Sequence, residues 1–430
     1  MGAGSSAKKN RQVIRVLFDE AELVEFCRQV FASLARSDQR RYAEVYLRGL
    51  MHPTARKSMQ RIAAEVAGTQ SGQSLQQFVN QSPWDPQAVR SRAAGLVTDQ
   101  AAAAAWVIDE VAFPKNGRFS AGVDRQYARP LGKVVNCQVG LTAALTSAEF
   151  SLPANWTLCL PESWDRDEKR RSRAHIPADE RHRARWQHAV ELVDDMSVDW
   201  GLPVAPIVCD ISHCYDPGEF LAALDDRSLD YVVQVNSGCL VRASLTWQRP
   251  RMNTIPGQES GRVVPLTDVA TMAERATRQT VTWVGGPDGQ MFRSQFVVIP
   301  VGPVEAGPSP DAARRRRRLL VEWPLGKAHP RAFWFTNLVD RPIEELVSLA
   351  KLTWRARAGI TELADGFGLY HYEGRSFLGW HHHVTLASAA YAFHLREQLR
   401  RRRPSSAPER SAQHELSAMP LPRRASPGPL

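Results

Sequence analysis

Ala105-Trp106-Val107-Ile108-Asp109 and Ala205-Pro206-Ile207-Val208-Cys209-Asp210 are two short apolar runs that each end on a carboxylate. Runs of this length, bounded by turn residues, read as buried strands. Val134 to Leu145, Trp156 to Leu160 and Tyr231 to Val235 read as further strands. Between them, Arg181 to Trp200 is an amphipathic helix with Trp186, Ala189, Leu192, Val193 and Met196 on its apolar side, and Glu219 to Leu224 is a second helix. Strands followed by helix, strand, helix and strand describe an α/β layer with a mixed sheet. Adjacent strand ends would bring Asp109 and Asp210 together from distant sequence. Carboxylate oxygens suit a hard divalent ion such as Mg²⁺, and two such ions can hold the attacking and leaving oxygens of an in-line phosphoryl displacement. A lone Asp after a strand more often caps the turn that follows, so the residues by themselves do not establish a metal site.

Outward from this layer the chain changes character several times. Residues 1–12 are small and basic and are expected to be disordered. Over 13–98, spacings of three and four among Leu17, Leu23, Phe26, Val30, Phe31 and Leu34, continued by Tyr42, Val45, Tyr46 and Leu50, predict an all-helical N-terminal domain. Ser74 to Asp85 reads as a short helix ended by a Pro turn. Residues 99–239 hold the first part of the α/β core. In 240–335, Arg242 to Arg249, Gln279 to Val284, Met291 to Val301 and Arg318 to Trp323 look like strands between Gly/Pro turns, a β-rich insertion whose Gly302-to-Pro310 stretch reads as a linker. Helix returns in 336–403, over Ile343 to Leu363 and Trp380 to Arg400. Residues 404–430, rich in Pro, Ser and Arg, are expected to form a disordered basic tail.

With 430 residues, two to three domains are expected, and 43% hydrophobic with 23% charged residues is an ordinary globular balance. No apolar run approaches the ~20 residues of a membrane span, and no apolar segment follows the basic start, so a cytoplasmic protein is expected. The six cysteines lack the paired spacing of a zinc site and read as thiols in a reducing compartment, although Cys209, His213 and Cys214 lie close together. A formal charge of +10, with arginine runs at 314–318 and 400–403, points to a polyanionic partner. His381, His382 and His383 are consecutive, so one helix cannot aim all three at one metal. Trp84, Trp164, Trp334 and Trp380 are expected to fill cores.

A set of blocks then fixes a comparison. Asp109-Glu110-Val111-Ala112-Phe113-Pro114-Lys115 is followed by Arg125-Gln126-Tyr127 and by Leu131-Gly132-Lys133-Val134-Val135-Asn136-Cys137-Gln138. Next come Val208-Cys209-Asp210 and Lys351-Leu352-Thr353-Trp354-Arg355-Ala356-Arg357. Gly368-Leu369-Tyr370-His371-Tyr372-Glu373-Gly374-Arg375-Ser376 and Gly379-Trp380-His381-His382-His383-Val384 close the series. In this order, over about residues 20–395, the chain resembles bacterial insertion-sequence transposases of the DDE superfamily. The resemblance implies an RNase H-like mixed-sheet core interrupted by a β-rich insertion and preceded by a helical region that helps bind transposon ends. It also implies a three-carboxylate site for Mg²⁺ (or Mn²⁺), with Asp109 and Asp210 as two of the metal ligands and catalytic residues. Double-stranded DNA with terminal repeats is the implied partner, and a homodimer the implied assembly. Lys115, Arg125, Lys133, Arg355, Arg357 and Arg375 lie near the site in sequence and are candidates for DNA contact.

The departures from the family pattern matter as much. Its last block reads Arg-Trp-Arg-Ile-Glu, and Arg357 stands where that Glu completes the metal site. Val111 replaces a Thr, and Ala364 stands where the family carries a Lys. Glu362, five residues beyond Arg357, points ~140° away around a helix at ~100° per residue. A guanidinium cannot shed its proton, and a cation beside Mg²⁺ turns an attraction of about 4 kcal/mol at ~4 Å into a repulsion. Two readings follow: a cut-and-paste transposase whose metal-dependent cleavage and strand transfer are crippled, or a non-catalytic DNA-binding protein retained as a repressor or regulator. The sequence has no nucleophile elbow, P-loop or dinucleotide fingerprint to support an unrelated hydrolase.

Overall fold

The computed structural model describes residues 19–52, 56–64, 72–213, 216–243, 262–273, 277–286, 289–302 and 317–402. The sequence-based expectations for 1–12, Cys214, the strand beyond Ala243, the linker after Gly302, Arg314 to Arg316, Arg403 and the tail fall outside these residues.

Five helices open the described chain: α1 (Glu20–Val30), α2 (Ser37–Met51), α3 (Met59–Ile62), α4 (Gly72–Gln81) and α5 (Pro86–Thr98). Helix α1 buries Leu23, Phe26, Cys27 and Val30, the i, i+3, i+4, i+7 stripe of an amphipathic helix, and Asp19 caps it by accepting from the Ala21 N–H at 2.9 Å. Asp85 caps α5, accepting from Gln87 N–H at 2.9 Å with Pro86 in the first turn, where a missing N–H costs nothing.

The first four strands are β1 (Ala105–Pro114), β2 (Asp124–Ala128), β3 (Lys133–Thr146) and β4 (Ser151–Cys159). Helices α6 (Glu162–Asp165), α7 (Glu168–Arg173) and α8 (Arg185–Asp194) lead into β5 (Ile207–Asp210), α9 (Gly218–Asp226) and β6 (Tyr231–Val235). Strands β1, β5 and β6 pair in parallel, while β3 pairs antiparallel with β1, β2 and β4. Central β1 is buried along nine of its ten residues, which is why it reads as an apolar run rather than an alternation. This is the RNase H-like mixed sheet.

The β-rich stretch continues that sheet. After the two-stranded antiparallel sheet of β7 (Leu240–Ala243) and β8 (Arg262–Pro265) and helix α10 (Leu266–Met272) come β9 (Gln279–Val284), β10 (Met291–Val301), β11 (Arg317–Pro324) and β12 (Ala332–Thr336). β12 pairs antiparallel with β6, and the order runs β2-β3-β1-β5-β6-β12-β11-β10-β9 with β4 on β3. The strands that read as an insertion therefore lengthen the core sheet past β6.

The Ile343-to-Leu363 segment, expected as one helix, is two: α11 (Ile343–Lys351) and α12 (Thr353–Phe367). A tight turn at Leu352, whose N–H donates to Leu349 at 3.0 Å, redirects the chain towards the end of β1. The last helix, α13 (Phe377–Arg402), is buried almost all round, because α1, α2, α4, α5, α12 and β4 all pack against it. The N-terminal helices thus share one apolar core with the sheet, running from Leu23 to Leu399. Trp84, Trp164, Trp334 and Trp380 are all buried in packed cores.

Candidate active site

Register brings the two aspartates together. Val107 pairs with Val208 and Ile108 with Cys209 across the parallel β1–β5 ladder, so Asp109 and Asp210 occupy the next rank at the carboxyl ends of both strands. They share the pleat face of Val107 and Val208, which packs against α11 and against Ala356 of α12. Glu110 points to the opposite face, where Arg185 of α8 holds its carboxylate at 2.6 Å and His213 lies 3.9 Å away.

Two guanidinium groups stand against the aspartates. Arg357 extends from α12 with Nε 3.2 Å from Asp109 Oδ2 and Nη2 3.5 Å from Asp210 Oδ2. Arg129 comes from the turn Arg129–Leu131 between β2 and β3, shaped by Pro130 and by Gly132 at φ +63°. Its Nη2 donates to Asp109 Oδ1 and its Nη1 lies 2.9 Å from Asp210 Oδ2, so one planar fork bridges both carboxylates. The Asp109 side chain is 6% exposed and Arg129 14%, whereas Arg357 is 54% exposed.

The electrostatics follow from this packing. Burial pushes the Asp109 carboxyl above its ordinary value, against the pull of Arg129, Arg357 and the Glu110 N–H. Burial also raises Asp210, but the Ser212 hydroxyl at 2.7 Å, Arg129, the Ser212 N–H and Arg357 outweigh it and hold that carboxyl below the usual range. Burial disfavours the charge on Arg129, yet Asp109, Asp210 and Glu110 more than offset it.

The Mg²⁺ or Mn²⁺ implied by the resemblance does not fit these residues. Asp109 and Asp210 supply hard oxygen donors, but both are already spent on guanidinium partners. No group of three or more His, Cys, Asp or Glu suited to a metal occurs among the described residues. At an effective dielectric near 20, a divalent ion ~4 Å from one guanidinium meets a repulsion of about 8 kcal/mol, twice that of a unit pair. Neither nearby glutamate is free to replace the missing ligand. Glu362 accepts from Arg355 at 2.9 Å and from the Tyr391 hydroxyl at 2.6 Å, and Glu373 pairs with Arg56.

The candidates for DNA contact divide into two groups. Lys115 is tied down, donating to the Tyr372 carbonyl at 2.9 Å, and Arg355 is held by Glu362 and the Glu149 carbonyl. Arg125, Lys133 and Arg375 are exposed and form no ion pair among the described residues. Val111 and Ala364 are buried, so neither offers a polar group to the site. The three consecutive histidines face separate partners. His381 meets Arg90, His382 sits between the Val79 and Trp84 carbonyls, and His383 bridges the Tyr46 hydroxyl and the carbonyls of Gly368 and Leu369. A cavity of about 690 Å³ lined by Gln87, Arg90, Trp156, His188, Phe377 and His381 lies apart from the aspartates.

Arg129 is the residue that sequence reading missed. Arg125 and Lys133, on either side, were drawn in by their place in the blocks. A turn arginine after the alternating strand Asp124–Ala128 carries no local mark that it folds back onto β1. Only the pairing of β2 with β3 aims it there.

Comparison with known proteins agrees with this architecture. Half of this chain (50%) and 53% of a curated relative align at 23% identity over 218 residues; that relative is a "probable transposase for insertion sequence element IS701" from Microchaete diplosiphon. The chain therefore spans about half the length of this relative. Residues 29–291, which include Asp109, Arg129 and Asp210 and end before α12, match the family model for the DDE superfamily endonucleases. The chain belongs to that family.

Proposed function

We propose that this chain is an insertion-sequence transposase-type protein that binds DNA and whose strand cleavage and transfer are impaired. One observation carries the reading: Arg357, at the position of the third carboxylate, lies 3.2 Å from Asp109 and 3.5 Å from Asp210. Asp109 and Asp210 are the catalytic and metal-binding pair by descent, and here their charge is spent on guanidinium groups.

DNA binding is the part of the function this geometry leaves intact. The +10 charge and the exposed Arg125, Lys133 and Arg375 supply phosphate contacts, while Arg357, half exposed at the rim, has one face towards solvent. The helical region 13–98 is proposed to grip the end repeats of a transposable element, on duplex DNA in the cytoplasm and as a homodimer. The residues around Asp109 do not fit a metal pair, because both aspartates already face guanidinium groups.

The same arginine pair favours a second reading, in which the protein binds DNA with no catalysis at all and acts as a repressor or regulator. The test is a duplex carrying the inverted repeats that flank the gene. Gel-shift binding that weakens with salt supports both readings, and failure to bind at low salt sinks both. Slow Mg²⁺-dependent nicking lost in Asp109→Ala supports the impaired enzyme. Binding with no nicking supports the regulator.

A further inference from the structure

We infer that Arg129 is a second, independent lock on the carboxylate pair, so that restoring the missing glutamate at position 357 does not by itself reopen the site to a divalent ion. The inference rests on the proposed reading of Asp109 and Asp210 as a former metal pair, and deepens it.

Three observations separate Arg129 from Arg357. Its contacts are closer: Arg129 hydrogen-bonds Asp109 and lies 2.9 Å from Asp210, while Arg357 stands 3.2 and 3.5 Å from the same two residues. It is deeper, at 14% exposure against 54%, so solvent screens it less. It is also better anchored. Arg357 is a long side chain on a helix surface, free to swing outward once its charge is unwanted. Arg129 enters from a turn fixed by Pro130 and Gly132 and by the β2–β3 ladder, which runs unbroken from Asp124–Cys137 to Ala128–Lys133. Withdrawing it from the aspartates means lifting a mostly buried side chain out of its packing.

Charge makes the consequence concrete. Asp109 and Asp210 balance Arg129 and Arg357. Arg357→Glu leaves three carboxylates, but the buried fork still bridges two of them with its donors on the oxygens that a metal needs. A guanidinium has no lone pair to offer, so it can only exclude the ion. The lock acts on any divalent cation of this size, whether or not DNA is present.

The experiment is Mn²⁺ uptake by the full-length protein, followed by electron paramagnetic resonance of the free ion without DNA. Wild type and Arg357→Glu should take up no more Mn²⁺ than their Asp109→Asn controls. Arg129→Gln/Arg357→Glu should bind at least about tenfold more tightly than Arg357→Glu, and lose that gain with Asp109→Asn. Arg357→Glu binding as tightly as the double variant overturns the proposal. So does a double variant that keeps a cooperative thermal transition yet takes up no Mn²⁺. If the Gln variant fails to fold, Arg129→Lys/Arg357→Glu decides, because lysine cannot bridge both carboxylates in one plane. Its uptake should exceed that of Arg357→Glu, and equality overturns the lock. Wild-type uptake that depends on Asp109 and is as tight as that of the double variant would defeat the impaired-site reading as well, whereas gel-shift binding of DNA is untouched by the failure of the lock.

Discussion

Arg355 and Glu362, seven residues apart on α12, are joined at 2.9 Å, and the other oxygen of Glu362 takes the Tyr391 hydroxyl at 2.6 Å. The carboxylate next in sequence after Arg357 is thereby committed to the packing of α12 on α13. Replacing it should strip a buried hydroxyl and a mostly buried guanidinium of their acceptor. Glu362→Ala is expected to cost about 1–3 kcal/mol in urea unfolding while leaving DNA affinity within error of wild type. A loss of DNA binding without a loss of stability would place Glu362 in the site instead.

A close approach on the same helix sets the position of Arg357. A Cβ added at Gly359 would lie 2.7 Å from the Ser151 carbonyl at the start of β4, a contact that backbone cannot easily yield. Gly359→Ala should push α12 away from the sheet and destabilise the protein by about 1–3 kcal/mol, the usual range for overpacking. Thermal melting checks this, and an unchanged midpoint would mean that α12 packs more loosely than described.

These residues also show what the sequence could and could not reveal. The meeting of Asp109 and Asp210 was legible because buried strands end where apolar runs end and a parallel sheet sets such ends side by side, whereas their role as a metal pair came only from the family resemblance. Arg357 was singled out by the family resemblance, at the Glu position of Arg-Trp-Arg-Ile-Glu, and helix geometry served only to set Glu362 apart from it. Arg129, the break at Leu352 and the joining of β12 to β6 were not legible. Each depends on pairing between distant strands or on one tight turn, and periodicity within a segment carries neither. Gly359 belongs with them, since its need for a missing side chain arises from Ser151, far away in the chain.

Acid should weaken the fold through its buried histidines. The Tyr46 hydroxyl donates to Nδ1 of His383 at 2.9 Å, so Nε2 carries the proton offered to the Gly368 and Leu369 carbonyls, and the ring is neutral. Burial holds His188, His382 and His383 down to about 4. In the unfolded chain these groups protonate below about pH 6.5, so there the unfolded state binds more protons and stability falls with pH. The histidine contribution to stability should be flat above about pH 7 and drop between about 6.5 and 4, by up to about 2 kcal/mol per histidine at pH 5. Urea titrations at several pH values measure the slope, and equal stability at pH 7 and pH 5 would show that these rings are not held neutral. Tyr46→Phe should leave Nδ1 without a donor at a cost of about 1–2 kcal/mol at neutral pH.

Salt offers the most direct test of which cations meet DNA. Each phosphate neutralised by a side chain releases condensed counterions, and the logarithm of the binding constant falls with the logarithm of salt at about 0.9 per contact. Arg125, Lys133 and Arg375 are exposed and without ion pairs among the described residues, whereas Lys115 and Arg355 are held within the fold. The variant Arg125→Ala/Lys133→Ala/Arg375→Ala is therefore expected to reduce the salt slope by about 2–3 and to weaken binding to every duplex alike. Arg355→Ala should instead lower stability and leave the slope unchanged. Fluorescence anisotropy on one duplex across a salt series distinguishes the two. If Arg355→Ala alone reduces the slope while the triple variant does not, the DNA track runs along α12 rather than past β2 and β3.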